Sequence, residues 1–345
     1  MPALFTPHPR PLTVLHGDLE NHAAQPREVV VGTPGSVVER TNASGFRFYA
    51  HAFYDGEGRK RERYLGGPIG AAAADTLAKD LRERIRELKE LVPSFRLLGR
   101  EGWNVVDGRT FATLATLANH GVFRAGGILI GSHAYGLLLN RLGIRAAAYA
   151  TEDIDLARRE ALAFEQPPGK GLLEMLQDSG VPFVPIPQLD GRQPATSWKA
   201  KGRARFHVDL LVPSKDESFP LVPIPELHAH ATGLPYLAYL LAETQPAMAM
   251  GREGCCAVRI PLPERFALHK LVISRLRTGR DAKAAKDVHQ ACVVAAAVAE
   301  FFPGALEQAR AAVPRRAKRH LASGLALARP MLEGNHPRAW EELAS

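Results

Sequence analysis

Cysteine is scarce in this 345-residue chain: three residues, two of them adjacent at Cys255 and Cys256. That is too few for a disulfide framework, and the spacing is wrong for a thiolate metal site, so the three are expected to serve as packing residues. No apolar run approaches the roughly 20 residues that a membrane helix needs. The opening stretch MPALFTPHPRPLTVLHGDLENH has prolines and histidines but no sustained apolar core, unlike a secretory signal. A soluble, cytoplasmic chain with no membrane partner is expected. Aromatic residues make up 7% and charged residues 23%, so neither a disordered nor a coiled-coil composition applies. A surplus of negative charge is also missing. The formal net charge is +8 and the pI about 9.5, a balance suited to polyanionic partners.

What is present begins with a loosely structured arm over residues 1–40, rich in proline and polar residues. Residues 41–100 read as a second unit. GFRFYAHAFYDGEGRKRERYLGG alternates aromatic and polar residues around Asp55-Gly56, the pattern of a hairpin with a tight turn needing positive backbone angles. AAAADTLAKDLRERIRELKELV then carries apolar residues at helical spacing, a long amphipathic helix that Pro93 should close. Residues 104–262 alternate helix and strand: RTFATLATLANHG, FRAGGILIGSHA, AYGLLLNRLG, TEDIDLA, GLLEMLQDSG and RFHVDLLVP, with a hairpin around Gly251 to Gly254 at the end. This order predicts a mixed sheet with helices on one side, and residues 263–345 add a helical domain. The fold class is therefore α+β.

Chemistry concentrates in a few positions. Asp153 and Asp155 flank Ile154 on a strand, so both carboxylates face the same way while Ile154 points into the core. Like charges held that close call for a cation or a shared proton. Asp209, at the centre of FHVDLLVPS, supplies a third carboxylate. Three carboxylates suit hard cations such as Mg2+, which are usually shared with substrate phosphates. Upstream, Gly131-Ser132 stands between an apolar strand and a helix. It can be a plain turn and cap, or a phosphate cradle built from free amides, the serine hydroxyl and the helix dipole.

Gly131-Ser132 after a strand, Asp153-Ile154-Asp155 on the next and Asp209 on a later one resemble the nucleotidyltransferase fold of the DNA polymerase beta superfamily. The segments GSHAYGLLLNRLG, TEDIDLA, FHVDLLVPS and PLPERFALHKLVISRLR look like a bacterial nucleotidyltransferase-like branch, over about Asn104 to the C-terminus. The stretch RLGIRAAAYATE separates Gly-Ser from the acids more widely than in minimal members of the superfamily. The resemblance implies a catalyst in which Asp153, Asp155 and Asp209 ligand Mg2+ or Mn2+. Asp209 would also help activate an acceptor hydroxyl, and Gly131 and Ser132 would hold the phosphates of ATP or another NTP. Lys270, a lone basic residue on an apolar helix, either snorkels or reaches the triphosphate. His133, beside the phosphate turn, either contacts nucleotide or helps cap the helix. Asp281, Lys283, Lys286 and Asp287 are spaced for pairing within one helix, and His228, His230 and His269 form no metal-ligand pattern.

The expected reaction is transfer of a nucleoside monophosphate to an acceptor hydroxyl. Lys199, Lys201, Arg203 and Arg205, with the basic stretch Arg315 to Arg319, favour RNA, particularly tRNA, as acceptor through phosphate contacts. A protein side chain or a small hydroxylated molecule stays open. The alternative is an inactive member of the fold acting as a nucleic-acid or protein interaction module, with the aromatic hairpin as its surface.

Overall fold

The structure is a computed structural model, which describes residues 3–147, 149, 151–202, 205–276 and 281–344. The chain opens with a two-residue strand β1 (Thr6–Pro7) and a helix α1 (Arg10–Ala23). Where a loose arm was expected, α1 buries His16 and Leu19. The prolines that suggested an arm are compatible with a helix because Pro9 is its N-cap and Pro11 lies in the first turn, where no amide hydrogen is needed.

Strands β2 (Ser36–Thr41), β3 (Arg47–Tyr54) and β4 (Lys60–Gly66) form an antiparallel sheet, so the expected hairpin has a third strand before it. Its turn differs in detail: the positive φ falls at Gly58, while Asp55 Oδ1 accepts hydrogen bonds from the Glu57 and Arg59 amides at 3.0 and 2.9 Å. Helix α2 (Ala72–Arg100) packs on this sheet and passes through Pro93 rather than stopping there. An interior proline costs about 3 kcal/mol. Burial of Phe95 and Leu98, both fully enclosed beyond it, returns roughly 1.5–3 kcal/mol each, which is enough to carry the helix on.

The next unit contains α3 (Gly108–Asn119), β5 (Ile128–Ile130), α4 (Gly131–Arg141), β6 (Ile144–Arg145) and β7 (Asp153–Ala157). It continues with α5 (Leu172–Gln177), β8 (Phe183–Pro185), β9 (Ser197–Ala200), β10 (His207–Pro213), β11 (Leu221–Ile224) and β12 (Ala229–Leu234). Its seven-stranded sheet runs β11-β12-β10-β7-β5, with β9 and β8 extending from β10. β10 lies parallel to β7 and β12, and the other pairs are antiparallel, so the sheet is mixed as expected. The short helix α6 (Leu237–Leu240) leads to the hairpin β13 (Thr244–Met250) and β14 (Cys255–Pro261).

Helices α7 (Pro263–Ser274), α8 (Asp281–Phe301), α9 (Ala305–Ala311), α10 (Lys318–Leu332) and α11 (Pro337–Ala344) complete the chain. Alanine lets these helices approach closely. At Gly324 even a methyl would stand 2.4 Å from the Leu271 carbonyl oxygen, so α10 crosses α7 on that glycine. All three cysteines are buried and unpaired. Among the described residues, no helix is long and apolar enough to cross a membrane.

Candidate active site

The parallel pairing of β7 with β10 brings the acids together. Asp155 is the register partner of Asp209, and Asp153 is the partner of His207. Alternation then places all four side chains on one face, with Ile154 and Val208 fully buried on the other.

His207 belongs to the site, although only the acids of its strand stood out in the sequence. Its Nδ1 lies 2.8 Å from the Arg205 carbonyl oxygen and 3.2 Å from Asp153 Oδ1, and its Nε2 lies 3.4 Å from Asp209 Oδ2. The hydrogen-bonded contact with Asp209 is the main reason its pKa rises to about 9; burial opposes the rise, and the charges of Asp209 and Asp153 reinforce it. The ring is therefore an imidazolium at neutral pH, bridging two carboxylates. Period-two reading of His-Val-Asp would have placed it beside Asp209.

Asp155 has the opposite environment. Burial first, then the charges of Asp209 and Asp153, push its carboxyl up to about 6, while Lys270 and His207 act against the shift. One carboxylate in the cluster is thus short of positive charge.

Gly131 explains why β5 runs directly into α4. Its φ is +69°, and a Cβ there would stand 1.9 Å from Asp155 Oδ2. The N-terminal turn of α4 therefore lies against the acid pair. No side chain caps it, so the positive end of the helix dipole and its first amides face the carboxylate side of the sheet. Ser132 is part-exposed and His133 is buried in the same turn. Burial holds the His133 imidazole down at about 4, against the charges of Asp107 and Asp153.

Lys270 does not extend into solvent. It is buried on α7, its Nζ 2.7 Å from Asp287 Oδ1 on α8 and 5.4 Å from the centre of the Phe266 ring. Its charge still acts on Asp155 from that position. Of the residues spaced for pairing within α8, Asp287 meets Lys270 of α7, because a buried carboxylate needs a cation beside it. Lys286 instead lies 5.1 Å from the centre of the Tyr149 ring, close enough to Asp153 to feel its charge.

Lys199, Lys201 and Arg205 are all exposed, and Lys199 is the register partner of His207. Arg203 and the side chain of Asp281 lie outside the described residues. Among the described residues, no group of three or more His, Cys, Asp or Glu side chains is posed to hold a metal ion. The three carboxylates share one face of the sheet and are the donor type of a hard divalent cation, but in this arrangement the His207 ring stands between Asp153 and Asp209, where such an ion would be drawn.

A solved structure of an antigenic nucleotidyltransferase-like protein from Paracoccidioides brasiliensis is 16% identical, with 67% of this chain and 92% of that one covered at a TM-score of 0.35, a likeness too loose to argue from. No curated protein matches the chain. The pattern of a nucleotidyltransferase family matches residues 109–314, a span that contains Gly131, Ser132, all three acids, His207 and Lys270. The chain belongs to this nucleotidyltransferase family.

Proposed function

We propose that the protein transfers a nucleoside monophosphate from an NTP to a hydroxyl group of RNA and releases pyrophosphate. The observation that carries this reading is the contact of Gly131 with Asp155, which sets an uncapped helix N-terminus against an acid paired in register with Asp209, one alternate position from Asp153. The first amides of α4 and the Ser132 hydroxyl donate hydrogen bonds to phosphate oxygens. Asp153, Asp155 and Asp209 would hold Mg2+ or Mn2+. When bound, such an ion would neutralise the triphosphate and lower the pKa of the attacking hydroxyl.

Asp209 accepts a hydrogen bond from the acceptor hydroxyl and takes its proton as that oxygen attacks the α-phosphorus. The new P–O bond forms on the acceptor, the α–β phosphoanhydride bond breaks, and pyrophosphate leaves with the electron pair. Exposed Lys199, Lys201 and Arg205 would neutralise backbone phosphates of the acceptor. Lys270 acts through its charge on Asp155 and its contact with Asp287.

The test incubates the protein with each α-labelled NTP, Mg2+ or Mn2+, and total RNA, beside an Asp153→Ala/Asp155→Ala variant. Label in RNA that disappears with the variant supports the reading. Label in protein or small molecules would reassign the acceptor. No label and no NTP binding would favour an interaction module.

A further inference from the structure

The three-stranded sheet carries a surface that the reaction does not use. Its inner face, with Val37, Tyr49 and Leu65, packs against Ala74 and Ala78 of α2. The alternate residues point outward. On that outer face Phe48 stands 5.5 Å from Tyr64 and 6.3 Å from Phe46, ring centre to ring centre. Ala50 pairs with Tyr64 and Val38, Ala52 with Ser36 and Glu62, and Tyr54 with Lys60. Ala50 at the centre is buried and the Arg40–Glu62 ion pair spans β3 beside it, so the open aromatic rings stand at the two ends of the face. Tyr64 is 58%, Tyr54 51% and Phe46 39% exposed, an unusual cost for rings that could have been buried.

Charge identifies the occupant. Residues 36–66 contain six basic and four acidic side chains. Each acid is engaged: Glu39 by Arg47, Asp55 by Arg61, Glu57 by Arg59 and Glu62 by Arg40. Arg63 pairs with Glu28 at 3.6 Å, which leaves a surplus of one positive charge, and Lys60 brings it beside Tyr54 on the outer face. A second copy would meet this face with the same positive surplus, which disfavours self-association. A single strand of nucleic acid satisfies both features, since unpaired bases stack on aromatic rings while phosphates meet the cations.

We infer that the outer face of β2–β3–β4 binds single-stranded RNA by stacking bases on Phe46, Phe48, Tyr64 and Tyr54, with Lys60 at the backbone. This rests on the RNA-acceptor reading above and adds a second contact surface to it.

The full-length protein is titrated into fluorescein-labelled oligo(U) RNA, the DNA strand of matching sequence and an RNA duplex, with binding read by anisotropy. Tyr64→Ala and Phe46→Ala, both at exposed positions, should each weaken single-strand binding by about fivefold or more, and Tyr64→Phe should keep it. Lys60→Glu should also weaken binding and flatten its salt dependence. The DNA strand binding as well as RNA would support the same face, because stacking does not read the 2′-hydroxyl. Absence of binding to any strand, Tyr64→Ala binding like wild type, or tighter binding of the duplex overturns the inference. So does a Tyr64→Ala effect seen only on dimerisation of the chain or on capture of a protein. Wild-type protein that binds RNA through Tyr64 but transfers no nucleotide would overturn the proposed reaction alone. Transfer to RNA with binding indifferent to Tyr64 would overturn this face alone.

Discussion

Gly131 leaves no room for a side chain beside Asp155: a Cβ at this position would stand 1.9 Å from Oδ2 of that carboxylate. The backbone is also in the left-handed region at φ +69°, which costs an L-residue about 1–2 kcal/mol. Gly131→Ala must therefore displace either the acid or the first turn of α4. A displacement near 1 Å at a reacting centre can cost on the order of 100-fold in rate. The expected outcome is a folded protein with a small loss in Tm and a nucleotidyl-transfer rate lower by roughly that factor. Calorimetry with an NTP should show the same loss in binding. A variant as active as wild type would remove the helix terminus from the phosphate site.

His207 holds positive charge between Asp153 and Asp209 where a cation would also be drawn. His207→Ala should leave the acids repelling one another when no metal is added, and lower Tm. Added Mg2+ or Mn2+ should then stabilise the variant more than it stabilises the wild type, because the ion no longer competes with an imidazolium. Thermal unfolding with and without each ion, with EDTA as the metal-free reference, measures both effects. Equal metal-induced shifts in the two proteins would show that His207 and the ion do not share the acids.

The acids were legible in the sequence because their arrangement is local and periodic. Asp-Ile-Asp on a strand needs only alternation to place both carboxylates on one face, and the glycine before α4 marks a turn whatever the tertiary context. His207 obeys the same rule, but it lay outside the acid pattern being read. Pro93 misled because local propensity predicts a stop there, while burial of Phe95 and Leu98 farther along decides otherwise. The prolines of α1 misled in the same way. The contact of Lys270 with Asp287 could not be read at all: it joins two helices, and nothing in either segment says which faces meet.

That contact has an energetic signature. Lys270 and Asp287 are both buried, with 2.7 Å between Nζ and Oδ1. Removing one partner of a buried pair typically costs about 3–5 kcal/mol, whereas replacing both with apolar residues of similar size is often close to neutral. Lys270→Met should thus lower stability strongly, and Lys270→Met/Asp287→Leu should recover most of it in urea unfolding. Transfer activity should stay low in the double variant, since the charge acting on Asp155 is still missing. Recovery of activity together with stability would make Lys270 structural only.

The rings of His8 and His16 both stack on Trp103, with centres 4.4 and 4.5 Å from it. Burial, helped by the charges of Arg141 and His8, lowers His16 from 6.5 to about 4, and burial lowers His8 as well. A depressed folded-state pKa means that folding favours the neutral ring. The contribution to stability is then complete above about pH 6.5 and is lost as pH falls toward 4. Docking of α1 should weaken over this window, which Trp103 fluorescence reports against the other two tryptophans, Trp198 and Trp340. His16→Gln removes the titrating group, so its stability should change less between pH 7 and about 4 than that of the wild type. An unaltered acid profile in His16→Gln would place the acid sensitivity elsewhere, and a Trp103→Phe control would show whether the fluorescence change arises at this stack.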